Sequence, residues 1–544
     1  MFDRRYRFLR LLPAFALFAG STYAQSSSGT ISGRVSDSTG SAVAGAEVSL
    51  TNQVERNTRN LTTGASGDFV FLNLEPGSYT LSVKAAGFKQ YEKRDLRLPA
   101  SDRLDISDIQ LQVGAVIEVV EVKAEGAQVQ TASAERSGLL DSKEITDLMS
   151  RGRDVMSLLQ VLPGVVDDAT GGDTLGAFGT PTMQGVRQQY NSLNVDGISG
   201  NTARGSNAQS PINMDAIAEV KVLMNSYTAE YGTASGGVIN LVTKSGTQNF
   251  HGGAYYYNRN EAFNANDFFN NRQSIARQRY RFNTVGFNVG GPIYWPNHFN
   301  ANKTKLFFFF SEEILPNQKP NSVSNFAVPT ALERQGIFAR TIKDPLNNGA
   351  PFANNSIPGD RIDPISSKLL SVFPLPNAVD PKNAFNFQIA GVEDLPVKQE
   401  ILRVDYNMST NGRWWFRASG FSSDNTGRTS PAISNQWGIA NVDYSQTMPN
   451  LGANFTYTFS PTLVNELTIG MNLWTEDQKL SQKDLAALQR ATYGINIKQS
   501  FPANNPLGLL PAMSFGGITS AATVSYDGRF PMVDDATALT FSDG

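Results

Sequence analysis

In Leu451 to Ser460, LGANFTYTFS, every second residue is apolar and every residue between is small or polar. Leu451, Ala453, Phe455, Tyr457 and Phe459 share one face; Gly452, Asn454, Thr456, Thr458 and Ser460 share the other. A period of two is the signature of a strand with two different surroundings. The pattern recurs in TLVNELTIGMNLW, where Leu463, Leu467, Ile469, Met471 and Leu473 oppose Glu466, Thr468, Gly470 and Asn472. In ILRVDYNMS it sets Leu402, Val404, Tyr406 and Met408 against Arg403, Asp405 and Asn407. Strands of about ten residues with one apolar and one polar face suit a transmembrane β-barrel, lipid outside and water within. A soluble sandwich alternates too. The aromatic runs KTKLFFFFSEE and GRWWFRASGFSSD, expected to supply interfacial girdles, and an export signal decide for the barrel.

That export signal is the amino terminus. MFDRRYRFLR is basic, LLPAFALFAG is a short apolar core, and STYAQ offers small residues for cleavage after Ala24. The apolar core is too short for a spanning helix, which needs ~20 residues. Charged residues are 17% of the sequence, against a usual ~25%, and the formal net charge is −3. A nucleic-acid partner is not expected without a basic patch. The protein has no Cys, which removes thiolate metal sites and Cys nucleophiles, and its two His residues, His251 and His298, cannot build a multi-His centre. No zincin, nucleophile-elbow or P-loop pattern occurs. The expectation is a non-enzyme with no cofactor and no metal.

Three further segments precede the barrel. From 29 to 112, alternating runs are broken by turns at Ser38-Thr39-Gly40 and Pro76-Gly77, giving about seven short strands of a small β-sandwich. Residues 113–130 form a linker containing VIEVVEV. Val116, Ile117, Glu118, Val119, Val120, Glu121 and Val122 read either as a last strand of the sandwich or as a strand that a partner pairs with by edge addition. Residues 131–247 mix helix and strand. Ile145, Leu148 and Met149, then Val155, Leu158, Leu159 and Leu162, have helical spacing, with Ser142 as the first cap and Arg151-Gly152-Arg153 as the break between two short helices. Asp196-Gly197 reads as a tight turn, with Gly197 at positive φ.

These motifs carry a resemblance. The 29–112 unit, with G-x-F-x-F-x-x-L-x-P-G-x-Y-x-L-x-V, resembles the carboxypeptidase regulatory-like domain, a non-catalytic module. The 131–247 unit resembles the plug of TonB-dependent outer-membrane receptors. It carries G-R-D…L-P-G-V at 152–165, Q-G-x-R…N-x-x-x-x-D-G at 184–197 and Y-x-A-E-Y-G-x-x-x-G-G-V-I-N-L-V-T-K-S-G-T at 227–247. A regulatory-like domain before the plug resembles the Oar-like subgroup. The resemblance implies a mainly β protein of the cell outer membrane: a periplasmic N-terminal β-sandwich, an α/β plug and, at 248–544, the first part of an antiparallel transmembrane β-barrel. A plugged barrel has about 22 strands. Roughly eight to ten are legible here, with a long polar connection from about 312 to 398. The barrel is therefore expected to be incomplete, and the protein to be a fragment truncated at its carboxyl end.

The resemblance further implies an extracellular ligand, a siderophore, oligosaccharide or peptide, imported with energy from a TonB-type protein that pairs with Val116–Val122. Gly185, Arg187, Asn191, Asp196 and Gly197 fall in matched plug motifs, with Arg187 expected to make plug or plug–barrel contacts. Tyr231, Gly232, Gly236, Gly237, Asn240 and Gly246 mark the passage from plug to barrel. Gly232, Gly236 and Gly237 are expected to let plug backbone lie against the barrel wall, and Gly246 to mark the turn between them. The alternative is a surface adhesion or structural protein of the same architecture that transports nothing.

Overall fold

The computed structural model describes residues 28–114, 119–123, 134–148, 150, 152–166, 181–202, 205–208, 211–232, 234–272, 274–427, 437–460, 463–526, 530 and 533–543. The export signal at 1–24 lies outside these, as do Val116, Ile117 and Glu118 and the glycine-rich run 167–180.

The first unit is a sandwich of two sheets. Asp68–Leu74, Gly29–Asp37 and Arg103–Leu111 form one; Thr58–Thr62, Glu47–Asn52, Gly77–Lys84, Gln90–Leu98 and Val119–Lys123 form the other. The period-two residues explain it. Ile31, Val35, Val48, Leu50, Leu81 and Val83 all point inward and are at most 2% exposed. Their core draws only on residues of the sandwich.

The plug is built on a five-stranded sheet in the order Ile198–Ser199, Ser192–Val195, Val238–Thr243, Ile217–Asn225, Arg136–Asp141. Every residue of Val238–Thr243 is buried, as the continuous apolar run of a central strand requires. The first helix is Ser142–Asp147, capped not by Ser142 but by Asp141, which accepts from the Glu144 N–H while Glu144 accepts in return from the Asp141 N–H. An acid with glutamate three residues on makes a reciprocal cap, which serine one place later cannot. Gly152 and Arg153, at φ +81° and +55°, break the helical pattern before Val155–Leu158.

Nine strands from His251–Asn260 to Val533–Asp543 form one antiparallel sheet. Val442–Thr447 and Asn450–Ser460 lie end to end between Gly412–Gly427 and Leu463–Lys479. Alternation sorts the side chains as expected. Arg403, Asp405, Asn454, Glu466, Thr468 and Asn472 are buried on the plug side, while Leu402, Trp414, Phe416 and Phe459 face outward and are exposed. The four phenylalanines of KTKLFFFF divide between the two faces. Phe307 and Phe309 are buried inward, and Phe309 joins the plug core together with Ile401. Only the outward members of the run can serve a lipid-facing girdle.

The polar connection expected from 312 is shorter than the sequence suggested. Leu306–Phe326 and Phe387–Asn407 are 21-residue strands paired along almost their whole length, leaving 327–386 as the loop. At ~3.4 Å per residue such strands run about 70 Å. An apolar band is ~25 Å tall. The outer part of the hairpin therefore stands in water, where its outward face is free to be polar. The loop residues 327–386, 437–441 and 480–526 lie at this outer end. Val328, Phe373, Trp437, Ile495, Leu510 and Val524 give them an apolar core of their own. The turn 408–411 is short and lies at the opposite end, which is the periplasmic side of such barrels.

Candidate functional site

The plug is held to the barrel by charge buried at one turn. Asp196 and Gly197 have φ of +48° and +79°, the two positive values that a type I′ hairpin needs. The turn joins Ser192–Val195 to Ile198–Ser199. It aims the Asp196 carboxylate at the inner wall, where Oδ2 accepts from Arg417 Nη1 at 2.7 Å and Oδ1 from Arg403 Nη1 at 3.3 Å. Thr243, at the end of the central strand, donates its N–H (2.9 Å) and hydroxyl (2.8 Å) to the same carboxylate. Asp196 is 3% exposed and Arg417 is 0% exposed. Arg403 is shared with Asp405 at 3.0 Å. Such pairs in low dielectric are strong only while both members stay in place.

Beyond the turn, Ile198 packs where the wall has no side chain. A Cβ on Gly452 would lie 2.1 Å from Ile198, and one on Gly470 would lie 2.4 Å from it. Ser199 donates to Thr540 at 3.3 Å on the last strand. A second clamp sits elsewhere on the wall. Arg153 bonds to Asp215 and, at 3.3 Å, to Glu313, with its guanidinium 4.2 Å from the ring centre of Tyr257 and 4.9 Å from that of Tyr255. The Tyr255 hydroxyl donates to Glu313 at 2.9 Å.

The residues singled out in the sequence disperse around this site. Asn191 and Asn240 are buried inside the plug, Asn191 donating to the Pro181 carbonyl at 2.7 Å and Asn240 accepting from Asn194 at 3.0 Å. Tyr231 is buried edge-on to Tyr227. Gly185 occupies a positive-φ turn. Arg187 is exposed and makes no side-chain hydrogen bond or ion pair to the described residues. The close approach assigned to the glycines is real but differently placed. A Cβ on Gly236 would meet Asn191 Oδ1 at 2.2 Å, one on Gly237 Met183 Sδ at 2.4 Å, and one on Gly232 the Ala229 carbonyl at 3.3 Å, all within the plug. Gly246 is the one that abuts the wall: a Cβ there would lie 2.4 Å from the Phe308 carbonyl. The glycines that admit the plug belong to the barrel, and inward-facing small residues on a period-two strand are the signal that could have found them.

The sandwich reaches the same wall from the periplasmic side. Glu55, in the turn after Glu47–Asn52, bonds to Arg413 Nη2 at 3.1 Å and Asn407 Nδ2 at 3.3 Å. Glu75, in the turn before Gly77–Lys84, bonds to Arg413 Nη1 at 2.6 Å and Arg403 Nη2 at 3.4 Å. Burial pushes the Glu75 carboxyl up to about 7, against the opposing pull of Arg413 and Arg403. A cavity of about 580 Å³ remains between sandwich, plug and barrel, lined by Arg56, Asn73, Asp196, Thr243 and Trp415 among others. At the outer end, Asn264, Asn266, Asp267, Phe269, Arg277 and Tyr280 line a cavity of about 420 Å³. Among the described residues no three His, Cys, Asp or Glu side chains gather in a way that could hold a metal ion.

The candidate coupling segment is only partly within the described residues. Val119–Lys123 is a strand, paired in parallel with Gln90–Leu98 of the sandwich, Val119 opposite Gln90, Val120 opposite Tyr91, Glu121 opposite Glu92 and Val122 opposite Lys93. It is an edge strand of that sheet.

Three family models match successive parts of this protein. Residues 242–544 match the family described as Outer membrane beta barrel domain. Residues 30–112 match the Carboxypeptidase regulatory-like domain. Residues 128–238 match the TonB-dependent Receptor Plug Domain. The TonB-dependent transporter Oar of Myxococcus xanthus is 29% identical over 255 residues, a match covering 45% of this protein and 23% of that one. Among solved structures, the outer membrane transporter YddB from Escherichia coli superimposes with a TM-score of 0.41 at 11% identity, covering 63% of this protein and 40% of that one. A ferric enterobactin receptor mutant from Pseudomonas aeruginosa gives 0.39 at 12% identity, covering 75% and 46%.

Proposed function

Because this protein belongs to the TonB-dependent outer-membrane receptors, we propose that it binds an extracellular ligand and imports it through the plugged barrel with energy supplied by a TonB-type protein. It lies in the cell outer membrane with its sandwich in the periplasm. The observation that carries the proposal is the plug itself, a folded domain keyed into the wall by Asp196, Arg417 and Arg403. A plug fixed by a few buried ion pairs is firm at rest and loosened when one pair is broken. Such a device suits a gate moved by an outside force. The outer cavity, lined by amides, charges and two aromatic rings, supports a polar ligand of the siderophore, oligosaccharide or peptide kind. The family consists of transporters rather than enzymes.

The segment that TonB would contact is Val116–Val122, because a strand edge is what a second strand recognises. Cells carrying the receptor should accumulate its ligand only while the proton-motive force and TonB are intact. Deleting residues 116–122 should abolish accumulation and leave surface binding. Undiminished uptake after the deletion would remove the TonB assignment. Binding without accumulation by the intact receptor would favour a surface adhesion role instead.

A further inference from the structure

We propose that the N-terminal sandwich is a second, removable closure of the barrel, clasped to its periplasmic mouth by Glu55 and Glu75 on Arg413 and Arg403. The coupling strand draws on this closure before it draws on the plug. The proposal rests on the TonB-dependent reading only for what opens the closure.

Four observations meet here. Glu55 is 2% exposed although it sits on a turn of a small domain, and the barrel supplies Arg413 and Asn407 to its carboxylate. Two acids at one tip of the sandwich face two arginines at one end of the wall, with flanking contacts from Arg59 to Thr458 at 3.1 Å and from Ser28 to Glu466 at 3.2 Å. The plug core takes in Phe309 and Ile401 of the barrel, whereas among the described residues the sandwich core takes in none outside the sandwich. The plug is thus partly welded by apolar packing, while the sandwich is held through polar and charged groups. It grips the plug in the same manner, through Arg97 to Asp141 at 2.9 Å, the Ala100 N–H to Glu219 at 2.5 Å and Lys221 to the Ser101 carbonyl at 3.3 Å. Polar domain contacts of this kind are reversible, since water can replace each partner as the surfaces part. The fourth observation is mechanical. Val119–Lys123 shares a sheet with the strands that flank Glu55 and border Glu75, and lies between them and the plug in the sequence. A pull on that strand loads the sandwich and its clasp together.

The test uses the absence of native cysteine. Thr458→Cys places one thiol beneath the sandwich, and its reaction with a bulky maleimide in outer-membrane fractions reports how often the closure lifts. Adding Glu55→Arg and Glu75→Arg should speed labelling by about ten-fold or more, the size expected for loss of one close interfacial charge pair. Raising salt should speed labelling with the clasp intact and do little without it. Adding Arg413→Glu to that double variant should return labelling toward the slow rate, because the new carboxylate faces both new arginines. The second arm adds the periplasmic domain of a TonB-type protein. It should speed labelling in the intact protein and have no effect once Val119–Lys123 is deleted. Labelling indifferent to charge reversal and to salt overturns the closure, whatever TonB does. Charge-dependent protection that TonB does not relieve leaves the closure and overturns its coupling to TonB.

Discussion

Asp196→Asn should loosen the plug. Asparagine keeps the side-chain shape and tolerates the left-handed backbone that residue 196 adopts at φ +48°, so the turn survives. What is lost is charge. Arg403 keeps Asp405 at 3.0 Å, but among the described residues Arg417 has no second bonded carboxylate and keeps Asn450. A guanidinium at 0% exposure is then left uncompensated. Breaking a buried pair from one side costs ~3–5 kcal/mol, and the remaining amide partner argues for the lower end. With a urea slope of ~1–3 kcal/mol/M, the plug-unfolding midpoint should fall by about 1–3 M. Trp415, stacked 5.3 Å from the Arg403 guanidinium, provides a fluorescence reporter beside the site. The double variant Asp196→Asn with Arg417→Met removes the orphan charge and should recover most of the loss, because a buried pair replaced by apolar volume is often neutral. A single variant as stable as the parent, or a double variant no better than the single, would refute the reasoning.

Gly470→Val should push Ile198 out of its seat, since a Cβ there already lies 2.4 Å from it, at a cost of ~1–3 kcal/mol to plug seating. Ile198→Ala should rescue that variant, and urea melts of the pair read the coupling.

Much of this was legible because alternation is a local property. Arg403, Asp405 and Asn407 could be set opposite Leu402, Val404 and Tyr406 from spacing alone, and the burial pattern agrees. Asp196-Gly197 was a turn on residue type, since few side chains accept positive φ. The extent of the outer hairpin was not legible. Residues 312–326 and 387–398 mix polar and apolar residues on both faces and carry Pro316, Pro320 and Pro396, so no clean amphipathic contrast marks them as strand. That Val119–Lys123 joins the sandwich was one of two readings of the sequence; its partner was not legible, because a parallel edge strand pairs with residues some 30 positions away, which periodicity does not name.

By itself the sequence determined which faces of the strands around 402–408, 451–460 and 463–473 meet lipid, that the backbone turns at Asp196-Gly197, and that a β-sandwich and a plug precede the wall. These follow from steric and solvation rules acting over a few residues. Only the tertiary structure decided which charges meet. Asp196 reaches Arg417 across 221 positions, Glu55 reaches Arg413 across 358, and Ile198 finds its space at Gly452 and Gly470. A carboxylate carries no mark of its partner along the sequence. The choice is made when desolvation leaves each buried charge stable only beside the opposite charge that the closed fold brings to it.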